Sequence, residues 1–343
     1  MSTQTINFHD VSEVKFNNQN VEEVVLNNQT IWPLKTPYVK FESPNGFTLG
    51  FVNNTKYWNG TIEYSLNNST WTTWDATTPI DASTSKVVYL RGTGNTNINK
   101  TTSSYNSSGF IITGSDVSLS GNLEALFDYQ NYLNGVSCNM VGHACRSLFS
   151  GQTSIVNSKN LTLPNVCPTN GFRLCFNGCS NLTSAPKLPA LNIASRGYQS
   201  MFGGCFRLIE QPELPATNVG SYGYNGMFSS CVDLRIINPI KATSISSYSL
   251  LDMFAYCTSL NGVHKLNSTE LPDYCYQNMY QYTHIRLSTT QSDIYLYPYS
   301  VPYDYTATII GNSSTYEMFG ESYTIPIPTP TVNEQYYCTR PAL

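Results

Sequence analysis

Charged side chains are scarce in this sequence. Lys, Arg, Asp and Glu make up 12% of its 343 residues, against roughly 25% in an ordinary soluble domain. The solvated surface must be built from amides, hydroxyls and phenols instead. Cations do not balance anions, 18 against 22, so nucleic acid and anionic membrane surfaces are not expected partners. No run of 18 apolar residues exists, so no membrane insertion as a spanning helix is expected. The opening residues, MSTQTINFHD, lack the cationic start and apolar stretch of a signal peptide and predict a chain not exported by the Sec route.

Signatures of catalysis are missing too. The four histidines, His9, His143, His264 and His284, are far apart and form no HExxH pair. There is no G-x-S-x-G, P-loop or dinucleotide fingerprint, and GTGNTN from Gly92 has no strand-to-helix context, so it reads as a loop. Asp233, Asp252 and Glu270 can share a face, but glycoside hydrolysis needs two carboxylates set across a cleft. The expectation is a protein that is not an enzyme and takes no cofactor or metal.

What is present is β-forming sequence and a long repeat. Residues 13–32, EVKFNNQNVEEVVLNNQTIW, repeat Glu-Val and an Asn-Asn-Gln signal ten residues apart. They predict two short strands with an Asn-Asn turn, an attachment segment (residues 1–35) that needs a partner surface. Alternating β-branched and aromatic stretches at Tyr38–Phe41, Thr61–Leu66 and Lys86–Leu90 predict a β-sandwich over 36–115, with Trp71 and Trp74 anchoring one strand. A short helix is expected in SGNLEALFDYQN, with Ser120 or Asn122 as its cap.

From there one pattern returns. Phe149, Phe176, Phe202, Phe228, Phe254 and Tyr280 stand 27 and then 26 residues apart. Three residues on come Gln152, Cys179, Cys205, Cys231, Cys257 and Thr283; six on come Ile155, Leu182, Leu208, Leu234 and Leu260. Leu161, Leu188, Leu214, Ile240 and Leu266 keep step, as do Val166, Ile193, Val219, Ile245 and Leu271. Within one unit, Tyr198, Met201, Phe202, Cys205 and Leu208 have the spacing of a short helix face. Pro-x-Leu-Pro-Ala at Pro186 and Pro212 then sets a turn. Such a unit cannot bury itself alone, and stacked copies close the core, which predicts a leucine-rich-repeat solenoid over 116–288. The cysteine column is read first as small buried thiols; disulfides between neighbours and a zinc site using Cys175 and Cys179 are the alternatives.

The final segment, 289–343, is expected to be a β cap rich in tyrosine. Tyr295, Tyr297 and Tyr299 have strand alternation, Pro298 marks an edge, and Tyr303 and Tyr305 follow. These phenols either close the stack or recognise a ligand. Arg207 and Asp233, between the apolar columns, are further candidates for contact with a ligand, beside a plain role in solubility. The whole is an α+β reading: hairpin, sandwich, solenoid and cap.

The motif Y-x-x-M-F-x-x-C-x-x-L followed by P-x-L-P-A resembles the surface leucine-rich-repeat proteins of the BspA type, common in gut Bacteroidales and in phages that infect them. SGNLEALFDYQ, VVYLRGTGN and EYSLNNSTWTTW resemble segments that precede the repeats there, and the hairpin ending in Ile31-Trp32 is similar to the start of phage tail and fibre proteins. The resemblance covers residues 10–285. It departs at Gln152, Tyr280, Thr283 and Ile240-Lys241-Ala242. It implies a virion fibre protein on the phage particle surface that attaches to a host-surface glycan or protein, with other virion proteins bound through the amino-terminal segment. A head or tail component without receptor binding and a bacterial surface adhesin are the alternatives. Trimers are common among phage fibres, but no heptad run supports a homotrimer here.

Overall fold

The computed structural model describes residues 35–99 and 109–285, then 287–292, 297–299, 309–310, 314–315, 318–319, 331–338 and 340–342. Of residues 1–34 it describes the backbone of four short strands between 15 and 32, and at 287–288 and 309–310 likewise the backbone alone. The α+β expectation gives way to a mostly β protein with several sheets and little helix.

The amino-terminal segment holds two hairpins rather than one. Lys15–Phe16 pairs with Gln19–Asn20 around Asn17-Asn18, and Val24–Leu26 pairs with Gln29–Trp32 around Asn27-Asn28. The Asn-Asn pairs between the strands, read from the sequence as a turn signal, lie outside the described residues.

Two sheets follow. The larger runs in the order Ile155–Thr162, Val117–Asn122, Val39–Glu42, Val87–Thr93, Thr61–Ser65 and Thr72–Thr73; the smaller in the order Phe110–Gly114, Phe47–Phe51 and Ile80–Asp81. Alternation puts Val39, Phe41, Val88, Leu90, Leu49, Phe110 and Ile112 inside. Phe51 packs edge-on against Trp58 at 5.3 Å and Phe110 at 5.1 Å. Trp74 is buried with its indole N–H donated to the Thr78 carbonyl, whereas Trp71 lies outside under the Arg91 guanidinium, 4.0 Å from its ring centre. The expected division at 115/116 runs through the larger sheet. Val117–Asn122 pairs antiparallel with Val39–Glu42 and parallel with Ile155–Thr162 of the first repeat, so sandwich and repeats share one core.

The single α-helix among the described residues, Ala125–Leu133, buries Ala125, Leu126 and Phe127 and is broken at Asp128 (φ −158°). Neither Ser120 nor Asn122 caps it: the N-cap position is Glu124, without a side-chain cap bond, and Asn122 Oδ1 accepts the Glu124 N–H at 2.8 Å in the turn before the helix. Of the GTGNTN expected as a loop, Gly92 and Thr93 end the strand Val87–Thr93 and the loop follows, held by Asn95, which donates to the Thr61 and Leu126 carbonyls and accepts the Gly60 N–H.

In the repeats the expected helix is absent, and a spiral of β-turns replaces it. In the coil around Phe202 the N–H groups of Gly197, Gln199, Met201, Gly203 and Cys205 close local turns three residues back. Those of Arg196, Tyr198, Ser200, Phe202 and Gly204 donate forward to carbonyls of the next coil, at Ser221, Gly223, Asn225, Met227 and Ser229. The five coils starting at His143, Asn170, Arg196, Tyr222 and Tyr248 repeat this alternation. Every fourth residue is left-handed: Arg196, Ser200 and Gly204, then Tyr222, Gly226 and Ser230, and so on. A four-residue turn period buries i, i+3, i+4 and i+7 just as a 3.6-residue helix does. The inward residues were therefore legible and the backbone was not.

The other side of each coil is extended. Asn192–Ile193, Asn218–Val219 and Ser244–Ile245 form a parallel ladder, and single bridges join Ser184, Glu210 and Ile236. The ladder stops before Glu270–Leu271, which belongs to a separate sheet. Pro272 occupies the position from which Gly220 and Ser246 donate to the previous coil, and proline has no N–H to give.

Down the interior runs a column of rings. Phe110 stacks on Phe149 at 5.4 Å, and the stack continues through Phe176, Phe202, Phe228 and Phe254 to Tyr280 at centroid spacings of 4.9 to 5.7 Å. Beside it the thiols of Cys179, Cys205, Cys231 and Cys257 donate to the carbonyls of Phe149, Phe176, Phe202 and Phe228 at 3.0 to 3.2 Å. Cysteine fits because a small weak donor is wanted there. All ten cysteines are free, including Cys175 beside Cys179. Burial pushes the Cys179 and Cys257 thiols up to about 12 and those of Cys205 and Cys231 well above their ordinary value.

The cap contains a further coil. Ile309 and Ile310 pair in parallel with Glu270 and Leu271, Tyr276 and Tyr280 donate to the Ser314 and Met318 carbonyls, and Phe319 stacks on Tyr280 at 5.1 Å. Phe319 lies 39 residues beyond Tyr280 rather than 26, because the chain between contributes the strands Leu287–Ser288 and Tyr297–Tyr299, which pair antiparallel with Tyr336–Cys338 from beyond it. At the chain's end the Pro341 carbonyl accepts the Val263 N–H.

Candidate functional site

The Tyr-rich strand divides between surface and core. Alternation puts Tyr297 and Tyr299 on one face of Tyr297–Tyr299, but that face meets solvent at Tyr297 (39% exposed) and is covered by Phe319 at Tyr299 (1%), the rings edge-on at 5.6 Å. Tyr299 is thus a cap residue and not a surface for ligand. Tyr295, Tyr303 and Tyr305 lie outside the described residues. Tyr299→Ala is expected to lower the melting temperature clearly, at about 3–5 kcal/mol for an aromatic lost from a core, while Tyr297→Ala should leave it within a degree or two; calorimetry on both variants decides. Equal effects would remove the distinction.

Arg207 and Asp233 occupy the same place in successive coils, where the Asp233 N–H reaches the Phe206 carbonyl. They form no ion pair with each other; the described ion pairs are Lys40–Glu42 and Arg91–Glu63. Around them Phe206, Ile209, Val232 and Ile236 are exposed by 37 to 49%. The surface here is more apolar than its two charges imply.

Two outward tyrosine ladders were not legible as surfaces. Arg196 sits over the Tyr222 ring at 4.8 Å, Tyr222 stacks on Tyr248 at 4.7 Å and Tyr248 on Tyr274 at 4.9 Å. On the neighbouring turn Tyr256 stacks on Tyr282 at 4.5 Å. All five tyrosines are left-handed, at φ of 56 to 64°. Earlier coils hold His143 and Asn170, or Gly151, Gly178 and Gly204, at the same places. A bulky residue there costs about 1–2 kcal/mol, and ring stacking returns about 0.5–1.5 kcal/mol per pair. The signal available in the sequence was the 26-residue spacing of Tyr222, Tyr248 and Tyr274 between the apolar columns.

On the extended side lies a groove of about 530 Å³ spanning the first coils. Its walls are Pro186, Pro189, Pro212 and Pro215 with Ala185 and Leu188, and its rim carries Lys159, Lys187, Glu210 and Glu213. Gln211 and Asn238 form the floor and are locked. Gln211 Nε2 donates to the Asn238 carbonyl, Asn238 Nδ2 donates to that of Gln211, and the His264 ring lies 2.7 Å from Gln211 Oε1 on one side and from the Tyr280 hydroxyl on the other. This network is satisfied when Nε2 carries the imidazole proton and Nδ1 accepts from Tyr280. Burial keeps the ring neutral, its pKa pushed down to about 3.

No cluster of His, Cys, Asp and Glu that could hold a metal occurs among the described residues, and none of their helices is long and apolar enough to cross a membrane. No protein-family model, curated protein or solved structure matches the chain.

Proposed function

We propose that this protein is a phage virion fibre protein whose stacked coils form a leucine-rich-repeat solenoid that recognises the host cell surface without covalent chemistry. One observation carries the recognition reading: tyrosine occupies the left-handed outward turns at Tyr222, Tyr248 and Tyr274, where earlier coils hold His143, Asn170 and Arg196, and at Tyr256 and Tyr282, where they hold Gly151, Gly178 and Gly204. Large phenols aligned on outward turns that smaller or non-aromatic residues fill in the earlier coils point to contact with something outside the chain. The ladder ends on a cation, Arg196, and presents a row of phenol edges about one strand spacing apart, 4.7 to 4.9 Å. Such a row joins apolar area to hydrogen-bonding tips. In this reading the amino-terminal hairpins fasten the chain to other virion proteins, and many copies on a particle make weak contacts avid.

The test combines location with binding. Immunogold against the repeats should label purified particles and not uninfected host cells. Isolated protein should bind host cells, and the variant Tyr222→Gly, Tyr248→Gly, Tyr274→Gly should keep its melting temperature and lose that binding. Gold on the cell alone would make the chain an adhesin; gold on the particle with no cell binding would make it a head or tail component.

A further inference from the structure

The groove on the extended side differs in chemistry from the tyrosine ladders. It has no aromatic ring in its lining, and flat aromatic faces are what sugar rings stack on. Its proline walls have no N–H to offer, so an incoming strand cannot add to them through a backbone ladder. The floor amides of Gln211 and Asn238 are spent on each other and on His264. What remains for a ligand is charge of both signs and an apolar wall.

The charges are ordered. Lys159 and Lys187 belong to the first two coils and Glu210 and Glu213 to the third. Lys187 and Glu213 occupy the same place in neighbouring coils, yet they are not within ion-pair distance, and none of the four belongs to an ion pair of the described residues. Lys159 and Glu213 are two coils apart, about 10 Å at the usual 4.8 Å strand spacing, which an extended peptide covers in about three residues.

We propose that this groove binds an extended peptide segment with an acidic and a basic side chain about three residues apart. The acid lies at Lys159 and Lys187, the base at Glu210 and Glu213, and an apolar side chain between them rests on Ala185, Leu188 and the proline walls. The inference deepens the recognition reading by naming a protein ligand, and rests on it only for where that peptide comes from.

The experiment uses the purified full chain and an array of immobilised hexapeptides. Asp and Lys are placed one to five residues apart around valine and proline, beside all-acidic, all-basic and neutral hexapeptides. Mixed-charge peptides at a separation of about three should bind best. In the variant Lys159→Glu, Lys187→Glu they should lose at least tenfold while all-basic peptides gain, with an unchanged melting curve, since both lysines are exposed. No preference for mixed charge, or a profile unchanged in the variant, overturns the proposal. So does a parallel glycan array on which the chain binds sugars and the variant does not. None of these outcomes touches the gold labelling or the tyrosine variant, so the groove and the attachment reading fail separately.

Discussion

Phe228→Ala is expected to cost about 3–5 kcal/mol, the loss seen when an aromatic side chain leaves a packed core, and to split unfolding into two steps. The ring is fully buried and stacks on Phe202 at 5.6 Å and Phe254 at 5.4 Å, so its removal opens a gap between two coils on each side. In a stack whose units touch mainly their neighbours, with the His264–Gln211 bond spanning two coils here, stability is close to a sum of unit and interface terms. Loosening one interface therefore uncouples the coils before it from those after it. Urea unfolding followed by circular dichroism and by tyrosine fluorescence should give coincident curves for the parent protein and separated ones for the variant. A loss under about 1 kcal/mol with coincident curves would mean that the ring column contributes little, against the usual cost of core truncation.

The second large effect is alkaline unfolding between pH 9 and 12. Burial holds Cys179, Cys257 and Cys275 near 12 against an ordinary 9.0, and raises Cys205, Cys231 and the phenols of Tyr198, Tyr276 and Tyr299 well above theirs. Each raised group keeps its proton in the folded chain and loses it in the unfolded one. Its stabilisation is complete below the unfolded pKa and is lost as pH rises toward the folded pKa. A rise from 9 to 12 corresponds to about 4 kcal/mol per thiol by pH 12, against a net stability of about 5–15 kcal/mol. Unfolding must then come before ionisation of the column. Thiolate absorbance, phenolate absorbance and loss of circular dichroism should move together, and native thiols of the column should resist alkylation at pH 8. Thiolates formed near pH 9 with the dichroism intact would contradict this.

Much of the interior was legible in the sequence because burial follows side-chain identity at fixed spacing. Phe202, Cys205, Leu208, Leu214 and Val219 each stand inside, as their columns require. Three things were hidden for physical reasons. The turn spiral shares its inward spacing with a helix, and only the glycines Gly151, Gly178, Gly204 and Gly226, among many ordinary residues, hinted at left-handed backbone. The coil ending at Phe319 was masked by the two strands inserted before it, Leu287–Ser288 and Tyr297–Tyr299, which break the period. The groove depends on which charges from different coils meet at one rim, a property of stacking that no single repeat carries. The tyrosines at Tyr295, Tyr297 and Tyr299 drew attention as a cluster, yet the phenols with a surface ladder of their own are Tyr222, Tyr248 and Tyr274.

The forward-donating N–H groups carry a consequence for the field around the molecule. In each of the five coils from His143 to Tyr256, five peptide units point their N–H toward the next coil and their C=O toward the previous one. Hydrogen-bonded peptides aligned head to tail add their dipoles, as they do along an α-helix, while the parallel strands opposite contribute almost nothing. The negative pole of these columns is met at the sandwich, where Ile98 and Phe110 donate N–H groups to the Ala144 and Leu148 carbonyls. The positive pole faces the far end, by Tyr276 and Phe319. In a chain with a net charge of −4 the field along the stack is thus given a direction by the backbone itself, independently of its lysines and arginines.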